Sequence, residues 1–417
     1  MNTRNIRRIL GRLVMMIGGE AMQSAFHLAL NLALLHAVSA YEYGIFALVM
    51  VIGGLGLTYI RSLTALPASI CITQSRSSAA ANAFEITFGS AALLLSVVLA
   101  IGLACVLNVW LKEGVLAGGA FVGLWTLRSH LRTVFFARHR QRLVSVSDLV
   151  FTLSGAAGAA LVLLDAEHVL QHTFLALVCA NALGIAVLLG FAKRPVRISL
   201  GVHVWRRYAK LWRDLRWSLL SVTITNVQGQ GMALLVAGIA GPAAYAPIAA
   251  ALVMFVPLRI ISTAFANMLH PEMSISLARG EIQKVWRLMR TWPIPLGLFG
   301  LLYGVVIMVA LPFIQPDTLE NTQFYKIAAL AWAIYTVPML YVMPRIWLEI
   351  MLDFRTIAIL SGLAAAVGLS LVLGILLTGS PSWSLFGSAV SELIVLAGSW
   401  IVVWRRQGVA AKRLATS

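Results

Sequence analysis

The chain alternates between long apolar runs and short polar breaks from end to end. An α-helix needs about 20 apolar residues to cross a bilayer, and runs of that length recur throughout. The spacing predicts twelve membrane-crossing helices, over 13-37, 44-67, 82-109, 115-137, 143-164, 171-192, 217-240, 244-270, 291-314, 324-348, 355-378 and 384-404. None of the breaks is long enough for a soluble domain of about 50 residues. The longest, 193-216, places Val204, Trp205, Tyr208, Leu211, Trp212 and Leu215 at helical spacing, with Arg206, Arg207, Lys210 and Arg213 between them. That pattern predicts an amphipathic helix lying on an anionic leaflet, or alternatively a docking surface for a partner protein.

This break divides the twelve helices six and six. The expected organisation is an N-terminal six-helix lobe over 1-192, a cytoplasmic basic linker helix over 193-216, a C-terminal six-helix lobe over 217-404 and a basic cytoplasmic tail over 405-417. A weak internal repeat agrees with it. Ala47-Leu48-Val49-Met50 recurs as Ala251-Leu252-Val253-Met254, and Pro67 recurs as Pro271, both at an offset of 204 residues (251-47 and 271-67). Each proline is expected to end its helix, the second and the eighth.

Composition agrees with the pattern: 60% of residues are hydrophobic and 11% charged, with a mean hydropathy of +0.88. The fold class expected is all-α, a polytopic membrane protein. A net charge of +17 could suggest nucleic acid, but in such a chain Lys and Arg first report topology, and no nucleic-acid partner is expected. With the N-terminus inside, basic residues gather at Arg4 to Arg12, Arg76, Arg138 to Arg142, Lys193 to Arg216, Arg279 to Arg290, Arg355 and Arg405 to Arg413. The outer turns hold Glu42, Glu113, Asp165, Glu167, Asp317 and Glu320 instead. Both termini are therefore expected to be cytoplasmic. The basic N-terminus resembles a signal peptide, but Glu20, Gln23, His27 and Asn31 interrupt the following run, so it reads as an uncleaved first helix. Cys71, Cys105 and Cys179 are scattered and read as small core residues.

The chemistry lies in polar residues inside the apolar runs. Arg61, Arg128, Arg132, Arg259 and Arg345 stand there, where an arginine costs roughly 2.5 to 3.5 kcal/mol at a helix centre. Their concentration predicts a water-accessible, anion-binding chamber. Arg128 and Arg132, four residues apart, share one helix face. The alternative is that these arginines snorkel, or pair with the embedded acids Glu20, Asp148 and Glu392. Arg345, close to Glu349 and Asp353, reads that way. The three acids are candidates for ion coupling or for counter-ions to the arginines. Gln23, His27 and Asn31 on the first helix, with Asn226, Gln228 and Gln230 on the seventh, form polar faces suited to interhelical hydrogen bonds or to glycan contact. No catalytic residues, no metal and no cofactor are expected: metal-ligand spacing, a nucleophilic triad and a phosphate-binding loop are all missing, and the chain does not read as an enzyme.

Several local patterns together resemble a known family. Tyr41-Glu42-Tyr43-Gly44-Ile45-Phe46-Ala47 follows the first helix, and Pro67 lies at the end of the second run. The second half opens with Trp217, the polar stretch Asn226-Val227-Gln228-Gly229-Gln230 and the turn Gly241-Pro242-Ala243-Ala244-Tyr245. It continues through Pro257 to His270-Pro271-Glu272 and Ala278-Arg279-Gly280-Glu281. The chain is similar to polysaccharide flippases of the multidrug/oligosaccharidyl-lipid/polysaccharide (MOP) export superfamily. The resemblance implies twelve or more helices in two pseudo-symmetric bundles around a central cationic cavity. It implies transport of undecaprenyl-diphosphate-linked oligosaccharides across the bacterial inner membrane by alternating access, for exopolysaccharide or O-antigen synthesis. On that reading Arg61, Arg128, Arg132 and Arg259 bind the diphosphate. The partners are the lipid-linked oligosaccharide, membrane lipids, and polysaccharide polymerase and export proteins. The competing functions are a drug/cation antiporter of the same superfamily and a membrane polymerase or ligase of polysaccharide assembly.

Overall fold

A computed structural model describes Gly19 and residues 22–75, 77–111, 114–138, 140–164, 168–192, 198–278, 280–314, 321–351 and 353–415. Among them there are helices and short connections and no strand. Helix α1 is described over 22–37. Then follow α2 (Ala40–Ile60), a π-helical turn (Arg61–Ala65), α3 (Leu66–Gln74), α4 (Ser78–Leu107), α5 (Val115–Ala137), α6 (Gln141–Leu164), α7 (Val169–Gly190) and α8 (Val202–Ile239). The second half comprises α9 (Pro242–Met254), α10 (Val256–Ala278), α11 (Ile282–Thr291), α12 (Pro293–Ile314), α13 (Asn321–Ile350), α14 (Phe354–Leu377) and α15 (Ser384–Ala415).

Helix occupies each of the twelve expected intervals. Among the described residues nine helices are long and apolar enough to cross a membrane, or ten if α9 and α10, bent by 46°, form one span. Helix α5 is as long, but Arg128, His130 and Arg132 make it less apolar. The chain forms two compact units, residues 1–222 and 223–417, and the boundary falls inside α8.

Local chemistry sets the helix starts. Ser39 and Glu42 form a capping box before α2: the Ser39 hydroxyl accepts from the Glu42 amide at 3.3 Å, and the Glu42 carboxylate accepts from the Ser39 amide at 3.1 Å. Such a cap contributes about 1 kcal/mol, so Glu42 works at a helix start as well as marking an outer turn. Asp353 caps α14, accepting from the Thr356 amide at 3.3 Å.

The prolines do not end their helices. Helical structure continues past Pro67 to Gln74 and past Pro271 to Ala278. Proline disrupts a helix by lacking an N–H and by crowding the carbonyl four residues back, and near Pro67 the backbone absorbs this in the π turn Arg61–Ala65. The eighth expected span is interrupted at Phe255 instead, where α9 and α10 meet.

The linker also differs from expectation. Its residues 193–197 lie outside the described residues, and α8 runs unbroken from Val202 into the seventh span. The apolar stripe Tyr208, Leu211 and Leu215 packs on protein, against Leu63, Ala68, Ile72, Ala81 and Phe88. Arg207 donates to the Ala83 carbonyl at 2.9 Å and the Thr87 hydroxyl at 3.1 Å, tying α8 to α4. Arg206 and Lys210 stay exposed. The basic tail is likewise no separate segment, because α15 continues to Ala415 and Arg406 pairs with Asp353 at 2.5 Å.

Small residues let α4 and α5 approach closely. A Cβ on Gly119 would lie 2.5 Å from the Ala100 carbonyl oxygen, a backbone atom that cannot swing aside. Gly119→Val is therefore expected to push the helices apart and cost about 1–3 kcal/mol, read as a lower midpoint of thermal unfolding in detergent.

Candidate functional site

Helix α5 carries the deepest polar cluster. Its i, i+4 spacing aims Arg128 and Arg132 the same way, towards α6. Asp148 on α6 receives both: Arg128 reaches it at 2.7 Å, and Arg132 spans its two oxygens at 2.8 Å each. Arg128 is 1% exposed and Asp148 1%. Gln23 on α1 accepts from the Arg128 guanidinium at 3.3 Å, which brings a fourth sequence-predicted residue to the cluster. The Phe151 ring lies 4.1 Å from the guanidinium carbon, a cation–π contact. Gly184 on α7 makes room, since a Cβ there would meet the Arg128 Nε at 2.7 Å. His27 stands between Trp125 and Phe151, with ring centroids 5.5 and 5.9 Å away. Asn31 turns back to donate to the His27 carbonyl at 2.7 Å. Glu20, proposed as a further counter-ion, lies outside the described residues.

Two buried guanidiniums on one carboxylate form a structural arrangement first. Desolvating three charges is costly, and the shared carboxylate offsets part of that cost while leaving one net positive charge among the three. Arg128 and Arg132 are thus both held by Asp148, within a buried part of the first unit.

Arg61 and Arg259 are different. Arg61 opens the π turn and is exposed, and neither it nor Arg259 makes an ion pair among the described residues. Arg259, also exposed, lies on α10 one turn beyond the break at Phe255. Each cation therefore stands at, or one turn past, an irregularity in its helix.

The second unit has its own polar cluster. Glu392 on α15 accepts from the Tyr341 hydroxyl at 2.6 Å. Arg345, one turn after Tyr341 on α13, pairs with Glu349 at 3.2 Å and also interacts with Tyr341 and Glu392. Tyr341→Phe is expected to strip the half-buried carboxylate of that donor and cost about 1 kcal/mol, measurable as a lower unfolding midpoint. Asn226 is buried on α8, and Gln228 and Gln230 are partly exposed on the same helix.

Sequence reasoning missed the polar neighbours of the π turn. Thr64 is buried against His130 of α5 at 3.0 Å, and Ser62 meets Ser218 of α8 through their hydroxyls. Small hydroxyl residues flanking Pro67 were the available signal.

Solved structures share this fold. The inward-facing conformation of a multidrug resistance MATE family transporter of the MOP superfamily matches with a TM-score of 0.73 at 9% identity, over 95% of this chain and 96% of that one. The lipid II flippase MurJ in an inward closed conformation matches with a TM-score of 0.69 at 10% identity, over 94% and 87%. The eukaryotic MATE transporter AtDTX14 matches with a TM-score of 0.62 at 13% identity, over 97% and 98%. No protein-family profile and no curated protein matches the chain.

Proposed function

We propose that this protein is a flippase that moves undecaprenyl-diphosphate-linked oligosaccharide repeat units from the cytoplasmic to the periplasmic leaflet of a bacterial inner membrane, for exopolysaccharide or O-antigen synthesis. The observation that carries the reading is that Arg61 in the first unit and Arg259 in the second are each exposed cations in apolar helices with no carboxylate partner among the described residues. A diphosphate matches them, because its oxygens accept paired hydrogen bonds from the planar guanidinium fork. The fold, shared with a lipid II flippase, is compatible with a lipid-linked substrate.

The drug antiporter reading shares the same fold, but among the described residues the embedded acids are engaged. A cationic drug calls for an available carboxylate. Asp148 is held by two arginines, and Glu392 by Tyr341 and Arg345. The triad of Arg128, Arg132 and Asp148 supports the first unit, with Arg61 and Arg259 as the diphosphate ligands. Gln228 and Gln230 are the residues offered for glycan contact. The positive inner segments of the sequence support a multi-pass protein with both termini cytoplasmic. Polymerase and export proteins would take over the delivered unit.

Deleting the gene tests this directly. Lipid-linked repeat units trapped on the inner leaflet are the expected result. Units that reach the outer leaflet but stay unpolymerised would point to a polymerase or ligase. Normal polymer with raised drug sensitivity would point to an antiporter.

A further inference from the structure

The π turn is clamped at every polar point except one. Pro67 has no N–H to return to the α-helical carbonyl four residues back, that of Leu63. That carbonyl accepts the Tyr208 hydroxyl of α8 instead, at 3.2 Å. Ten residues further along α8, Ser218 holds the Ser62 hydroxyl. On the other side Thr64 bonds the Ile60 carbonyl at 2.7 Å and His130 at 3.0 Å. Leu63, Thr64 and Ala65 are buried, and Arg61 alone projects as an exposed side chain. Buried carbonyls are held by donors, and at the break at Pro67 the Tyr208 hydroxyl is a donor brought in from another helix.

We propose that Tyr208 is a positioning residue for Arg61: by occupying the Leu63 carbonyl it holds the π turn in the one backbone path that presents the guanidinium. The proposal rests on the diphosphate reading above for its ligand, but the clamp itself can be tested without any ligand. A π turn rotates the helix beyond it relative to a plain α-helix, so its loss would change the direction in which Arg61 stands relative to α3.

The test uses the full-length purified protein as Tyr208→Phe, Pro67→Ala, the double variant and Arg61→Ala. Backbone hydrogen exchange over residues 61–66 is followed by mass spectrometry, and farnesyl diphosphate serves as the binding probe. Tyr208→Phe keeps the ring packed on α4 and removes only the hydroxyl. Exchange across the turn is expected to quicken about tenfold, the loss of one net hydrogen bond, and probe affinity to weaken by a similar factor. The double variant is the decisive arm. Alanine at 67 restores a backbone N–H at the break, so Pro67→Ala should return exchange most of the way in the Tyr208→Phe background, while probe affinity, which needs the π turn itself, stays low. Unchanged exchange in Tyr208→Phe would overturn the clamp, and so would an exchange defect that Pro67→Ala does not relieve. Wild-type affinity in Arg61→Ala would sink the diphosphate reading, and the exchange data would then decide the clamp alone.

Discussion

Replacing Asp148 with alanine is expected to destabilise the first unit by about 3–5 kcal/mol, the largest effect of any single substitution considered for this chain. The reason is an asymmetry in how buried charges behave. Asp148 neutralises Arg128 at 2.7 Å and Arg132 at 2.8 Å within a setting where all three are at most 9% exposed. Removing the carboxylate strips both guanidiniums of their shared counter-charge while they stay in an apolar interior. Asp148→Asn keeps the shape and a hydrogen-bond acceptor and should fall between wild type and alanine. Replacing all three residues together, as Arg128→Met, Arg132→Met and Asp148→Leu, should recover most of the lost stability, because swapping a buried ion cluster for apolar side chains is commonly neutral. Retention of a monodisperse peak after heating in detergent reads the effect. An Asp148→Ala protein as heat-resistant as wild type would show that the triad does not hold the unit together.

Arg61→Ala and Arg259→Ala are expected to do the reverse: leave folding intact and sharply reduce transport. Neither residue has an ion-pair partner to orphan among the described residues, and both are exposed, so their removal should shift the unfolding midpoint little. Each would deprive a diphosphate of charge-assisted hydrogen bonds, and at about 1.5–3 kcal/mol this amounts to roughly a ten- to hundredfold loss of export per site. Lysine retains the charge without the planar fork and should rescue in part. Polymer export in a complemented deletion strain, alongside the amount of protein in the membrane, separates the two kinds of arginine. Full complementation by both alanine variants would exclude them as ligands. Arg128→Ala belongs with Asp148→Ala, and its loss of export should come with loss of folded protein.

The helical framework was readable because membrane spans announce themselves by length and apolarity. The site was readable only in part. The i, i+4 spacing placed Arg128 and Arg132 on one face, and Asp148 was a candidate counter-ion. But pairing across helices is a tertiary fact that spacing along one helix does not contain. The partner of Arg128 lies 20 residues on, in the next helix. The docking of α8 was hidden for a related reason. An apolar stripe says that a face avoids water, and lipid and protein satisfy it equally. Pro67 misled because proline in isolation predicts a stop. What let the helix continue was a hydroxyl far away in the chain.

That distance bears on how the molecule is made. Leu63 and Tyr208 are 145 residues apart, so when α2 and α3 first enter the membrane the donor for the Leu63 carbonyl has not yet been synthesised. The second span must wait, with its break unfinished, until five more helices have followed it. A fragment that stops after α7 would carry every span of its lobe and still lack the residue that completes the second one. The lobe should therefore mature late in biogenesis, only once the start of α8 has emerged. Extending such a fragment to residue 222 should convert it from a proteolysed species to a stable one.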